Sequence, residues 1–268
     1  MLNLLRMDLY RMKRTKSVYI CFILFVMVIL LSYTMVYLLL SPEGQKTAMK
    51  IGMVTVQEVS EGVPSLDGMD SLALFREGGM DGGMYGLLFG IVVALFVCGD
   101  FHGGFMKNIM SLQRERWKYI GSKMAAAGIL NFVYLLLGFG VNSLMNVLFG
   151  RMVPFAPPAP CLFYLFWMWL ISMAFAALII LVCVFTRSTT WGVLTAVFGC
   201  SGVVVSFLGT ITSYFHLGGW FEYTLYCNMA YGPSAYSGPG DLKVVAVGLV
   251  FLILYTAAAA VSLVRQDI

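Results

Sequence analysis

The chain has 268 residues, 60% of them apolar, 15% aromatic and 11% charged, with a formal net charge of +4. A mean hydropathy of +0.87 lies far outside the soluble globular range and identifies an integral membrane protein. No G-x-x-x-x-G-K-[ST] phosphate loop and no H-E-x-x-H occurs, so an enzyme that binds ATP or a catalytic metal within this chain is not expected.

Residues 1–16 predict a short amphipathic helix. Leu2, Leu5, Leu9 and Met12 share one face, while Arg11, Arg14 and Lys16 are placed to reach lipid phosphates. Six apolar runs follow, over residues 18–40, 85–98 (begun near Met80), 124–149, 161–185, 191–215 and 244–264. Each approaches the roughly 20 residues that a helix needs to cross a bilayer. None alternates with the period of two of a barrel strand, so the fold class is all-α with six transmembrane helices. The first run is too long, and lacks the small-residue cleavage site, for a secretory signal, and is expected as a retained helix.

Six spans place both termini on one side, and the basic residues choose it. With the termini inside, 12 of the 17 Lys and Arg residues are inside and nine of the 13 acids outside. The net positive charge therefore reflects orientation in the membrane, not nucleic-acid binding. Residues 17–268 read as one transmembrane domain with an outer loop at 41–81, expected to be a partly ordered lid, and a cytoplasmic loop at 99–123. PFAPPAP, residues 154–160, is a stiff turn between the third and fourth spans.

In the third run Asn131, Asn142 and Asn146 fall on one side and must face protein or water, either as interhelical fasteners or along a translocation path. The fifth run carries a small-residue face from Gly192 through Thr195, Gly199, Gly202, Ser206 and Gly209 to Ser213, read first as close helix packing and second as path lining. Thr195 and Ser206 are its path candidates. The segment 216–243 is rich in Trp and Tyr, as suits the outer interface. The six cysteines mostly fall inside spans and read as small apolar residues; Cys161 and Cys227 both come near the outer face. His102 and His216 fall on opposite sides of the membrane, which argues against a shared metal site. None of the six runs contains an ionisable residue, so ion coupling inside the spans is not expected and uphill transport would need energy from outside the bilayer.

The stretch CGDFHGGFMKNIMSLQRERWKYIGSK, residues 98–123, joins the second and third spans. Gly103-Gly104 breaks the preceding helix, and Phe105, Ile109 and Leu112 then recur at i, i+4 and i+7. Such a ridge fits a groove on another protein, or lies among headgroups with its Lys and Arg on anionic lipid.

This stretch resembles the loop between spans two and three of type 2 ABC-transporter permeases. Asp100, Gly104, Lys107, Asn108, Ser111, Arg116 and Lys123 match that pattern, whereas Phe105 and Gln113 depart from it. The opening MLNLLRMDLYRMKRTKSVY is similar to that family's elbow helix, and SLVRQDI to its C-terminal ending. The resemblance implies a coupling helix in which Asp100, Gly104, Phe105, Met106, Lys107, Asn108, Ile109 and Arg116 meet a cytoplasmic ATPase, two copies per complex. ATP and Mg would be held by that partner, with no cofactor, catalytic residue or metal in this chain. It further implies short re-entrant helices in 216–243 as an outer gate, with Phe221, Glu222, Tyr223 and Tyr226 as its candidates. A second permease chain is expected, a homodimer before a heterodimer, in a bacterial plasma membrane. The relatives it most resembles, lantibiotic-immunity and phenol-soluble-modulin exporters, imply amphipathic or antimicrobial peptides as cargo. A drug-efflux permease is the alternative, and a channel or structural membrane protein without an ATPase the third reading.

Overall fold

A computed structural model describes residues 2–51, 69–80, 83–106, 116–214 and 218–265. Among the described residues the chain is all helix and turn, with no strand. Helix α1 spans Leu2–Arg14, α2 Lys16–Leu40, α3 Pro42–Ile51, α4 Ser71–Phe75, α5 Met84–His102 and α6 Trp117–Leu148. The rest of the chain forms α7 Pro158–Thr186, α8 Thr189–Cys200, α9 Val203–Tyr214, α10 Leu225–Tyr231 and α11 Leu242–Arg265. Five helices (α2, α5, α6, α7 and α11) are long and apolar enough to cross a membrane, and α8 with α9 forms a sixth candidate span bent by 57°.

Helix α7 is the centre, packed by α11, α5, α8, α6 and α10. Its middle, from Leu170 to Ala177, is buried on every side, while Leu162, Phe166 and Phe185 towards its ends are exposed. It starts in the proline cluster, with Pro158 in its first turn, where a missing N–H costs nothing. Helix α2 lies at the edge. Val18, Cys21, Phe25, Ile29 and Tyr33 bury one stripe at helical spacing, while Ile20, Ile23, Met27 and Leu31 stay exposed. An outward face this apolar suits contact with hydrocarbon.

The small-residue face of the fifth run works by close packing in α8. A Cβ on Gly192 would lie 2.5 Å from Cys183 Sγ of α7 and 3.0 Å from Ala94 of α5, and one on Gly90 of α5 would lie 2.8 Å from Ala196. The fifth run is not one helix, however. Gly202 takes φ +70°, and a Cβ there would lie 2.1 Å from the Tyr226 ring, so the chain breaks at a position open only to glycine.

The end of the loop 41–81 is drawn into the bundle. Asp70 caps α4 by accepting from the N–H groups of Leu72 and Ala73. Leu72, Leu74, Phe75 and Met80 are then buried, and the Ser32 hydroxyl of α2 donates to the Gly78 carbonyl at 2.8 Å. Four large apolar side chains in ten residues draw this segment into the bundle; residues 52–68 lie outside the described residues.

Candidate functional site

Three helices each place two polar or aromatic groups one turn apart at the end of the bundle that carries α1. Asp8 and Arg11 share a face of α1, Phe96 and Asp100 a face of α5, and Tyr119 and Lys123 a face of α6. They converge on one buried ion lattice. The Lys123 ammonium lies 2.7 Å from Asp8 Oδ1 and 2.6 Å from Asp100 Oδ2, and the Arg11 guanidinium 2.6 Å from Asp100 Oδ1. Tyr119 donates its hydroxyl to Asp100 at 2.9 Å, and Ser122 donates to Asp8 at 2.7 Å. Above these the Phe96 ring stands 4.0 Å from the Lys123 ammonium.

Asp100 and Lys123 are fully buried and Asp8 is 1% exposed, so the lattice is charged matter inside an apolar body. Two cations balance two anions. Burying ions in this way is costly, and the pairing is tolerated because each carboxylate also receives a hydroxyl hydrogen bond. Removing Lys123 would leave Asp8 buried without a cation, and would leave Asp100 with Arg11 alone.

The lattice straddles the connection between α5 and α6. Helix α5 ends at His102, the Gly103 N–H reaches back to the Gly99 carbonyl, and Gly104 turns at φ +65°. Met106 is 2% exposed, and the Phe105 ring lies 4.3 Å below the Arg11 guanidinium. At the far end, Arg116 donates to the Leu263 and Val264 carbonyls in the last turn of α11, at 3.4 and 3.3 Å. The connection is thus tied to α1 at one end and to α11 at the other. Lys107, Asn108 and Ile109 lie outside the described residues, as does His216.

Two sequence expectations change here. Arg11 does not reach out to lipid phosphates; it turns inward because Asp100 offers a buried carboxylate. Asp100 and Met106 are not surface residues open to a partner, since both are covered within the chain. Asp8, Tyr119 and Ser122 were missed altogether. The available signal was Asp8, the sole acid in the first 42 residues, in a basic helix.

The amides of α6 are used inside the chain. Asn131 accepts from the Tyr85 hydroxyl and donates to the Trp169 carbonyl at 3.0 Å; Asn142 donates to the Ser71 carbonyl at 2.9 Å; Asn146 donates to the Val153 carbonyl at 2.9 Å. All three are fully buried fasteners. Thr195 bonds back to the Trp191 carbonyl, and Ser206 is exposed on α9.

At the opposite end the outer candidates gather on a short 3-10 helix, Gly218–Tyr223, and on α10. Trp220 donates to Thr212 of α9 at 2.7 Å, and Phe221 lies over Gly209. Tyr226 fills the space at Gly202. Lys243 at the start of α11 pairs with Glu222 at 2.6 Å and stands 4.3 Å from the Tyr223 ring. The hydrogen bond from Lys243 holds the Glu222 carboxyl below its ordinary range. All six cysteines are free, Cys161 and Cys227 among them. No cluster of three or more His, Cys, Asp or Glu stands together among the described residues.

The arrangement fixes the two described ends of the α5–α6 connection to neighbouring helices. Neither a protein-family model nor a curated protein matches the chain.

Proposed function

We propose that the chain is the membrane-spanning subunit of an ATP-driven ABC exporter for amphipathic or antimicrobial peptides, in a bacterial plasma membrane with both termini cytoplasmic. The observation that carries the reading is the anchoring of the α5–α6 connection. Asp100 and Lys123 hold its flanks to α1, and Arg116 holds it to α11. A push that reaches the described flanks, residues 103–106 and Arg116, would therefore be passed to α1, α5, α6 and α11, as a subunit driven from outside the bilayer requires.

In this reading two copies of a separate ATPase bind ATP and Mg and close against the connections. A second permease chain would cover α9, whose Val203 and Phe207 are 61% and 66% exposed and which packs only on α8 and the 3-10 helix among pairs with appreciable contact. Spans without ionisable residues in their apolar runs suit an amphipathic cargo.

The test is copurification in mild detergent. A phosphate-loop ATPase is expected to remain bound to the wild-type chain. Ile109→Asp with Leu112→Asp, which places charge on the apolar ridge, should release it, whereas Lys107→Gln with Arg114→Gln should retain it. Phe105 is a poor test position because its ring already serves Arg11. Retention of the ATPase by a monodisperse Asp pair, or the absence of any ATPase from the wild-type preparation, overturns the proposal.

A further inference from the structure

A groove of about 380 Å³ runs between α2 and α6 beneath the C-terminal turn of α1. Phe22 of α2 and Ile129, Val133 and Leu137 of α6 wall it, and Lys13 lines its head. From Ile129 to Leu137 the helix rises ~12 Å. That is most of one ~15 Å hydrocarbon leaflet. The groove opens outward, since Ile129, Val133 and Leu137 are all exposed.

Its head is basic and stiff. The Tyr134 hydroxyl donates to the Val18 carbonyl, and the Tyr19 hydroxyl donates to the Lys13 carbonyl at 2.7 Å, so the backbone acceptors there are satisfied. Lys13, Arg14 and Lys16 are exposed. Among the described residues neither Lys13 nor Lys16 has a carboxylate partner, because the nearby acids, Asp8 and Asp100, are engaged by Lys123 and Arg11. Among the described residues the buried lattice thus engages the nearby acids and leaves Lys13, at the head of the groove, without a carboxylate partner. A second groove, of about 560 Å³, runs past Trp117, Ile253, Thr256 and Ala260 and has no charged residue in its lining.

We infer that the groove under α1 holds one anionic phospholipid, with an acyl chain between α2 and α6 and its headgroup at Lys13. Charge complementarity selects this occupant: an apolar slot open to hydrocarbon with a basic head matches a lipid carrying net negative charge. The site requires only that the chain sits in a bilayer, so it stands apart from the exporter reading.

Native mass spectrometry of the delipidated full-length chain, titrated with dioleoyl phosphatidylglycerol or dioleoyl phosphatidylcholine, tests it. The first phosphatidylglycerol should bind about fivefold more tightly than phosphatidylcholine, from the energy a basic residue contributes near an anionic lipid. Lys13→Gln, at an exposed position that cannot disturb packing, should abolish most of that preference. Val133→Trp should fill the slot and lower retention of both lipids, while Ile253→Trp in the second groove should leave the first phosphatidylglycerol bound. The inference is overturned if the wild type shows no preference, if Lys13→Gln keeps it, or if Ile253→Trp acts as strongly as Val133→Trp. Displacement of the lipid by glycerol phosphate also overturns it, by assigning the cations to a soluble anion.

Discussion

Two lysines, one at each end of the bundle, make the same contacts in opposite settings. Lys123 pairs with two carboxylates and faces the Phe96 ring, with no exposure at all. Lys243 pairs with one carboxylate and faces the Tyr223 ring, but its side chain is 34% exposed and its partner Glu222 69%. Chemistry is matched; solvent is not. The first pair is bound to the integrity of three helices because water cannot replace a lost partner, whereas the second can exchange its partner for water at little cost.

The sharpest way to break this contrast is Lys123→Met. With the ammonium gone, Asp8 keeps only the Ser122 hydroxyl while Asp100 keeps Arg11 and Tyr119, and the loss expected for breaking a buried pair is ~3–5 kcal/mol. A large fall in the detergent melting temperature should accompany tryptic cleavage within α1, as its charged face loses its anchor. A melting temperature equal to wild type would show that the lattice is not what docks α1.

Next in size is the break between α8 and α9. Gly202→Val forces a branched residue into φ +70° and onto the Tyr226 ring, at a cost of ~1–3 kcal/mol for the backbone alone. Tyr226→Ala added to it should recover the steric part only. Full recovery in thermal unfolding would mean that the left-handed backbone carries no strain and that α8 and α9 can straighten into one helix.

A smaller effect probes uncharged fastening. Asn131→Leu removes the side-chain partner of the buried Tyr85 hydroxyl, leaving it a weaker 3.4 Å contact to the backbone carbonyl of residue 131, at a cost of ~1–3 kcal/mol. Tyr85→Phe together with Asn131→Leu should be less harmful than the sum of the two single changes. Strict additivity of melting shifts would break the assignment of that hydrogen bond.

Least of all should change at Glu222. Its carboxyl is held below the ordinary range by the Lys243 hydrogen bond, so whatever it contributes is present above the unfolded carboxyl's pKa and is lost as pH falls through the lowered folded value. Glu222→Gln should leave the melting temperature at neutral pH within its scatter and flatten only the acid limb of the stability profile. A clear loss at neutral pH would erase the distinction between the two lysines.

The helical class and the position of the apolar elements were legible in the chain, because a 25-residue apolar segment such as α2 must satisfy its backbone internally and has no other stable form in lipid. The break at Gly103-Gly104 was legible for the same local reason. Residues 69–80 were not: in the sequence they belong to a polar loop, and only the bundle supplies Ser32 and Asn142 to donate to their backbone carbonyls. The bend at Gly202 was hidden inside a run that reads as continuous, since its cause is the Tyr226 ring, 24 residues further along the chain.

The sequence by itself determined composition, the spans, the small-residue face of α8 and the basic, amphipathic character of residues 1–16, all of which depend on residue type and near-neighbour spacing. Tertiary structure alone decided where charge is buried. Asp8, Asp100 and Lys123 are separated by 92 and 23 residues, and nothing in their local surroundings marks them as partners. Coulomb attraction between fixed charges depends on distance and on the medium between them, and both are set only when α1, α5 and α6 pack and exclude water. The same packing turned Arg11 inward and left Lys13, two residues along the same helix, exposed.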